Sequence, residues 1–213
     1  MDENMTRILR LRMERTAEAL RKNGFYAVLC ENRAQALERI KEMIPDHADV
    51  CVGGSMTLFE CGALELLRSG KYTFYDRYAD GLSREDIEEI FRKAFSCDTY
   101  LASANAVTED GKIYNVDGNG NRVAAMIYGP RSVILIVGCN KIVENLDEAR
   151  VRVRCIAAPA NAARLKLDTP CTVTGKCMDC RSEKRICAAE TVLSFCKPKE
   201  RIKVILVGEE LGY

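Results

Sequence analysis

Apolar and polar residues alternate in blocks along the first half of the chain, and the blocks predict helices and strands in turn. Residues 4–23 carry apolar side chains at helical spacing and end at Asn23-Gly24, a common helix stop. Short apolar runs at 25–30, 49–52 and 99–103 have the length of buried strands, and helical patterns lie between them. This alternation predicts an α/β fold with an open, largely parallel, Rossmann-like sheet.

The second half of the chain is less regular. Asp110-Gly111 stands between two strand-like runs and predicts a hairpin. A turn-rich stretch follows at 117–121, and residues 133–137 and 202–207 are predicted as further strands. We predict helices over 58–67 and 146–156 and treat residues 1–213 as a single domain, with 168–190 as its cysteine-rich segment. The arginines of the second helix, Arg150, Arg152 and Arg154, are expected at exposed or boundary positions.

Charge and hydropathy narrow the class of protein. The net charge is +1, and no one-sided basic patch is evident, so we expect no nucleic-acid partner. The first residues lack the apolar core of a secretory signal, and no apolar run approaches the roughly 18 residues that a membrane span needs. We therefore expect a cytoplasmic protein without a membrane span.

The eleven cysteines fall into two groups. Most are scattered among apolar residues and are expected to pack as small hydrophobes. Cys171, Cys177, Cys180 and Cys187 instead follow a C-x5-C-x2-C-x6-C spacing in a polar, basic stretch. Thiolates at such spacing favour zinc or an iron–sulfur cluster. Because structural zinc sites usually pair two short cysteine knuckles and this stretch has one, we predict a cluster, of the 4Fe-4S type, with zinc as the alternative. Free thiols and a redox-active disulfide are further readings.

A second candidate site follows from polar residues after predicted strands. In open α/β sheets, ligands bind outside the carboxyl ends of the strands. Backbone donors, hydroxyls, amides and charges that could bind an anion occur in three places. These are the stretch after the second strand, the residues around the hairpin and the residues after the central strand. Turn geometry and solvation are the alternative explanation. The predicted ligand-binding residues are Gly53, Gly54, Ser55, Thr57, Glu60, Asn105, Asp117, Asn121, Arg122, Asn140 and Lys141.

Four stretches resemble one known family. These are GGSMTLFECG, SANAVTEDGKIYNVDGNGNRVAAMIYGP, VILIVGCNKIV and AAPANAARL. Together they look like the LUD-domain, or lactate-utilisation, proteins and their C-subunit-like members, over residues 10 to 190. The resemblance implies a fold similar to the sugar-phosphate isomerase and CoA-transferase superfamily and a role in lactate oxidation. It supplies no catalytic residue, and the cysteine run is not part of what it implies.

Three functions are compatible with these features. The first is an iron–sulfur redox or electron-transfer component of organic-acid (lactate) oxidation. The alternative is a small-molecule enzyme of the isomerase or transferase type with a structural zinc site. The third is a non-catalytic subunit that docks through the metal-binding segment. The expected ligand is a small anionic metabolite, and the candidate protein partners are redox-protein subunits or a second copy of the chain in a homodimer.

Overall fold

A six-stranded parallel sheet forms the centre of the structure, a computed structural model that describes residues 2–213. Every neighbouring pair in this sheet is parallel. In spatial order its strands are β1 (Tyr26–Cys30), β10 (Ile202–Val207), β7 (Ser132–Gly138), β4 (Thr99–Ala102), β2 (Asp49–Val52) and β3 (Thr73–Phe74). The predicted α/β fold with a largely parallel sheet is thereby confirmed.

Both faces of this sheet are buried, which explains why its strands read as continuous apolar runs. Along β7, Val133, Leu135 and Val137 pack on one face. Ile134 and Ile136, which alternate with them, pack on the other. Each face is therefore covered by helices.

Helices pack on both faces of the main sheet. The buried side of α1 packs with the Val133 face, and α2 and α4 pack with the Ile134 face. The helices are α1 (Glu3–Lys22), α2 (Arg33–Met43), α3 (Met56–Glu60), α4 (Ala63–Leu67), α5 (Arg84–Lys93), α6 (Asn121–Ile127), α7 (Leu146–Arg152), α8 (Ala158–Arg164) and α9 (Pro170–Thr174). A π turn, Val153–Ala157, joins α7 to α8.

Two helix predictions need correction. The single helix predicted over 58–67 is two short helices, because Gly62 adopts a left-handed conformation (φ 76°) that interrupts it. The turn-rich loop that begins at Asp117 leads directly into α6, which the apolar pattern did not predict.

A smaller sheet contains the predicted hairpin. β5 (Ala106–Thr108) and β6 (Ile113–Asp117) pair antiparallel around Asp110-Gly111. Gly111 has φ 82°, and a side chain there would meet the backbone of α1 at Ala19. β8 (Ile142–Val143) and β9 (Ala189–Leu193) complete the sheet in the order β8-β5-β6-β9. Because β9 follows the cysteine-rich segment, its pairing with β6 fixes the end of that segment beside the hairpin.

The topology marks one place in the main sheet. From β2 the chain moves outward to β3 and then returns past β2 to β4, so the strand order reverses at β2 and β4. In open α/β sheets such a reversal leaves a crevice outside the carboxyl ends of the two strands. Gly53-Gly54-Ser55 and Ser103 follow those ends.

Candidate functional site

A polar cleft of about 460 Å³ opens at this point of the sheet. Its size is in the usual range for small-molecule sites. Its floor comes from the ends of β2, β4 and β7, and its walls come from α8, the loop after β6 and the cysteine-rich segment. Charged, amide and hydroxyl side chains dominate the lining, so the cleft suits a polar ligand.

Arg122 anchors the floor of the polar cleft. It lies in the first turn of α6, and its guanidinium is enclosed. Each of the two terminal nitrogens donates to two nearby acceptors, and Nε lies 3.3 Å from the Asp117 carboxylate. The acceptors are Ser103 O (2.9 Å), Asn115 Oδ1 (2.6 Å), Asn105 Oδ1 (3.1 Å) and Val116 O (2.8 Å). Arg122 therefore joins β4, β6 and the loop between β4 and β5, and it offers a ligand its positive charge rather than a free donor.

Gly53 has a packing reason to be glycine. A side chain there would approach the Tyr100 hydroxyl to 2.9 Å and the Arg122 side chain to 3.0 Å. Since Arg122 is fixed by its acceptors, the chain at the end of β2 can lie this close to it only without a Cβ.

Lys141 is the central cation of the floor. It ends a short 3₁₀ turn (Cys139–Lys141) directly after β7, and its side chain is buried. Its Nζ donates to the Thr57 hydroxyl (2.8 Å) and to the Ser103 hydroxyl (3.0 Å). Among the ion pairs of residues 2–213, none includes Lys141. The amine is thus hydrogen-bonded by neutral groups and lacks a carboxylate partner.

The surroundings of Lys141 disfavour its protonated form. Burial is the main cause, and the nearby positive charges of Arg152 and Arg122 add to it, while Glu60 opposes them. Together they lower the pKa of Lys141 to about 7. An amine whose pKa lies near neutrality exists in both protonation states under ordinary conditions.

Arg152 is a second buried cation beside this floor, and the expectation that it would be exposed or at a boundary is wrong. It is only 7% exposed. Its Nε donates to Asn140 O (2.9 Å), and its NH1 donates to Asn105 O (2.7 Å). These two bonds tie α7 to the turn after β7 and to the loop after β4. The helical pattern of α7 could not reveal these hydrogen bonds, because both acceptors are backbone carbonyls outside the helix.

The predicted ligand-binding residues separate into two groups. Seven line the polar cleft: Gly54, Ser55, Asn105, Asp117, Asn121, Arg122 and Lys141. The other four, Gly53, Thr57, Glu60 and Asn140, do not line it. Thr57 accepts from Lys141, and Glu60 accepts from the backbone N–H of Gly212 (2.7 Å). Whether the first group binds a ligand remains a prediction.

The segment 211–213 closes one end of the cleft and was not singled out in the sequence. The Asn140 side chain donates to Gly212 O (2.8 Å) and accepts from Leu211 N (3.2 Å), and the Thr57 hydroxyl donates to Leu211 O (3.1 Å). Asn140 and Thr57 therefore hold this segment in place. The result is that Tyr213 lines the cleft, near Arg164, and its hydroxyl has no hydrogen-bond partner among the described residues.

Further cations surround the mouth of the cleft: Arg77, Arg164, Lys184 and Arg185. The Arg77 guanidinium lies over the rings of Phe91 (4.4 Å) and Tyr78 (5.4 Å). Arg164 donates twice to the Asn161 side chain of its own helix. Sequence reasoning did not place these residues in the cleft because they come from three separate parts of the chain, which only the fold brings together.

The cysteine-rich segment forms one wall of the same cleft. Residues 183–186 line it, and a side chain on Gly118 would meet Ile186 Cα at 3.3 Å. Ala188 N donates to Asp117 O (2.9 Å), which continues the β6–β9 pairing into the segment. The two candidate sites predicted separately from the sequence are therefore neighbours.

The four cysteines of this segment are half-buried. Cys177 and Cys187 line a second cleft of about 290 Å³, which we call the cysteine cleft. Arg185 lines both clefts; it donates to Cys180 O (2.7 Å) and Cys187 O (3.1 Å), and its NH2 lies 3.6 Å from Cys187 Sγ. Cys171 is in α9, with its Sγ 3.3 Å from the Thr169 hydroxyl, and lines neither cleft. Within residues 2–213, no three His, Cys, Asp or Glu side chains converge as a metal-binding group.

Fold and site together define an α/β protein with a cation-rich cleft at the carboxyl ends of parallel strands. The chain belongs to the LUD-domain family, whose model matches residues 13–207. The resemblance seen in the sequence is thus confirmed.

A solved structure supports the fold independently. The chain is similar to a DUF162 family protein from Deinococcus radiodurans, with 16% identity and a TM-score of 0.52, over 94% of this chain and 98% of that one. No curated protein matches the chain. Among the described helices, none has the length and apolar character needed to span a bilayer.

Lys141 makes the stability of the protein depend on pH. Its pKa in the folded state, about 7, lies below that of a free lysine, so between these two values the unfolded chain binds more protons. The free energy of unfolding should therefore rise with pH from about 7 upward, by at most about 1.4 kcal/mol per pH unit.

Urea unfolding of the wild type and of Lys141→Met at several pH values from 6 to about 9 checks this prediction. The variant lacks the titrating amine, so its stability relative to the wild type should be highest at the acid end and fall as the pH rises. Parallel curves for the two proteins would show that Lys141 keeps an ordinary pKa.

Proposed function

We propose that the polar cleft binds a small anionic organic metabolite and that the protein acts in organic-acid, specifically lactate, utilisation. The observation that carries the proposal is a cluster of three enclosed cations, with Lys141 and Arg122 in the floor and Arg152 beside it; the Asp117 carboxylate pairs with Arg122.

Electrostatics supports an anion as the ligand. Burying several cations close together is unfavourable, and the depressed pKa of Lys141 records that cost. A carboxylate entering the cleft offsets it by supplying the negative charge that the floor lacks. The low local dielectric makes that attraction stronger than the same contact on the surface.

The mouth of the cleft favours the same ligand. Arg164 and Arg77 both line the cleft, and guanidinium is well suited to bind carboxylate. Ser55 has no side-chain capping bond in α3, so its hydroxyl is available to a ligand. Membership of the LUD-domain family suggests that this anion belongs to lactate metabolism.

The cysteine-rich segment is proposed to hold an iron–sulfur cluster, of the 4Fe-4S type, through Cys171, Cys177, Cys180 and Cys187. Four half-buried thiols in one segment are a suitable donor set, and a cation beside them would offset the negative charge of a thiolate-bound cluster. Arg185 occupies that position next to Cys187. The described side chains do not converge, so metal binding would require the segment to rearrange.

When bound, such a cluster supplies one-electron transfer. The residues of the chain itself contribute position and charge. Residues 183–186 line the polar cleft, Cys177 and Cys187 line the cysteine cleft, and Arg185 lines both, so the two spaces are neighbours. Because the two clefts are neighbours, a redox or electron-transfer role that uses both sites together is favoured over unrelated roles for the two sites.

A second candidate is a small-molecule enzyme of the isomerase or transferase type, with zinc as the structural metal. The specific observation in its favour is a buried lysine with a pKa near neutrality beside two hydroxyls, which is a common arrangement in sites for proton transfer or nucleophilic catalysis. The identity of the metal separates the two candidates.

Ligand binding tests the first part of the proposal. Isothermal titration of the full chain with lactate, pyruvate and inorganic phosphate should show binding of the carboxylates. Arg164→Gln should weaken it about ten- to hundred-fold, since a hydrogen bond to a charged group contributes about 1.5–3 kcal/mol. Arg131→Gln, an exposed arginine outside the cleft, is the matched control and should bind like the wild type. Equal affinities in all three proteins would contradict the proposed site.

Metal content tests the second part. Protein purified without oxygen should be brown and contain iron and acid-labile sulfide in proportion. Cys180→Ser should lose most of both, whereas Cys155→Ser, which removes an exposed cysteine outside the segment, should retain them. Colourless, iron-free protein from the same purification would refute the cluster, and stoichiometric zinc would support the second candidate.

A further inference from the structure

Lys141 differs from the other lysines of the chain in combining burial with a place in a cleft. Lys184 also lines the polar cleft but is exposed, and Lys203 is partly buried but lies in the main sheet, bonded to the Ser132 hydroxyl (2.6 Å). The Lys141 amine alone is shielded from bulk water, faces a space of about 460 Å³ and lacks a carboxylate partner.

A lysine in such surroundings can act as a nucleophile. Desolvation and neighbouring cations favour the neutral amine, whose nitrogen lone pair is the reactive group. The neighbouring cations here, Arg152 and Arg122, are held by backbone and amide acceptors. These hydrogen bonds hold both positive charges near the amine, where they disfavour its protonation.

We infer that Lys141 forms a Schiff base with a small 2-oxo carboxylate bound in the polar cleft. This inference rests on the proposed function, because a 2-oxo carboxylate is the product of oxidising a 2-hydroxy carboxylate such as lactate. In this arrangement the carboxylate lies toward the arginines of the mouth, and the carbonyl carbon lies toward the floor.

The step is balanced without an oxidant or reductant. The Lys141 nitrogen adds to the carbonyl carbon, the carbonyl π bond breaks, and the carbonyl oxygen takes a proton to give a carbinolamine. Loss of that oxygen as water, which takes the second proton from the nitrogen, leaves the carbon–nitrogen double bond. Ser103 and Thr57 lie within hydrogen-bonding distance of Nζ, so their hydroxyls can pass the proton from nitrogen to oxygen.

Reductive trapping tests the inference on the full wild-type chain. Incubation with pyruvate and sodium cyanoborohydride should give one N-carboxyethyl modification per chain, and peptide mass mapping should locate it at Lys141. Lactate, which has no carbonyl group, should give none under the same conditions. Lys141→Arg should lose the modification, and Lys203→Arg, the control lysine outside the cleft, should retain it.

The result that would overturn the inference is also specific. If calorimetry shows that pyruvate binds but no modification appears, or if the modification is spread evenly over Lys184 and surface lysines, Lys141 is not a Schiff-base lysine and the proposed carboxylate site still stands. If pyruvate, lactate and phosphate all fail to bind, the proposed function and this inference fail together. Mapping of the wild type needs no variant, so a poorly folded Lys141→Arg does not weaken the test.

Discussion

The architecture of the site depends on the hydrogen bonds and the ion pair of the buried Arg122 guanidinium. Its contacts reach the end of β4, the loop that follows it, the middle of β6 and the Asp117 carboxylate. Removing one partner of a buried ion pair costs about 3–5 kcal/mol, because the remaining charge is left uncompensated. The two sheets meet around this group, and the floor of the cleft takes its shape from it.

The chemistry of Lys141 is a consequence of that constraint. Arg122 fixes Ser103 through its backbone carbonyl, and the Ser103 hydroxyl accepts from Lys141. Arg152 fixes the turn before Lys141 through Asn140 O. The amine is therefore held in a place where burial and two cations oppose its protonation. A site built in this way has positive charge to offer and a reactive nitrogen, which is why an anionic carbonyl compound suits it.

The main sheet could be predicted from the sequence because strands that are buried on both faces, such as β7, are continuous apolar runs. Sequence reasoning reached Lys141 because strand ends carry ligands in this class of fold. It missed α6 because the turn signal of Asp117–Asn121 hid the start of a helix, and it misjudged Arg152 because the partners of that side chain are distant carbonyls. The polar cleft and the cysteine-rich segment are neighbours because β9 pairs with β6, and no local sequence pattern encodes that pairing.

The central claim is that the polar cleft binds a small carboxylate above its cationic floor. A crystal structure of the full chain, purified without oxygen and grown with oxamate, an unreactive analogue of a 2-oxo carboxylate, tests it most directly. One oxamate should occupy the cleft, within hydrogen-bonding distance of Lys141 and with its carboxylate toward Arg164. Oxamate bound only elsewhere on the molecule, with the cleft filled by water at saturating ligand, would contradict it.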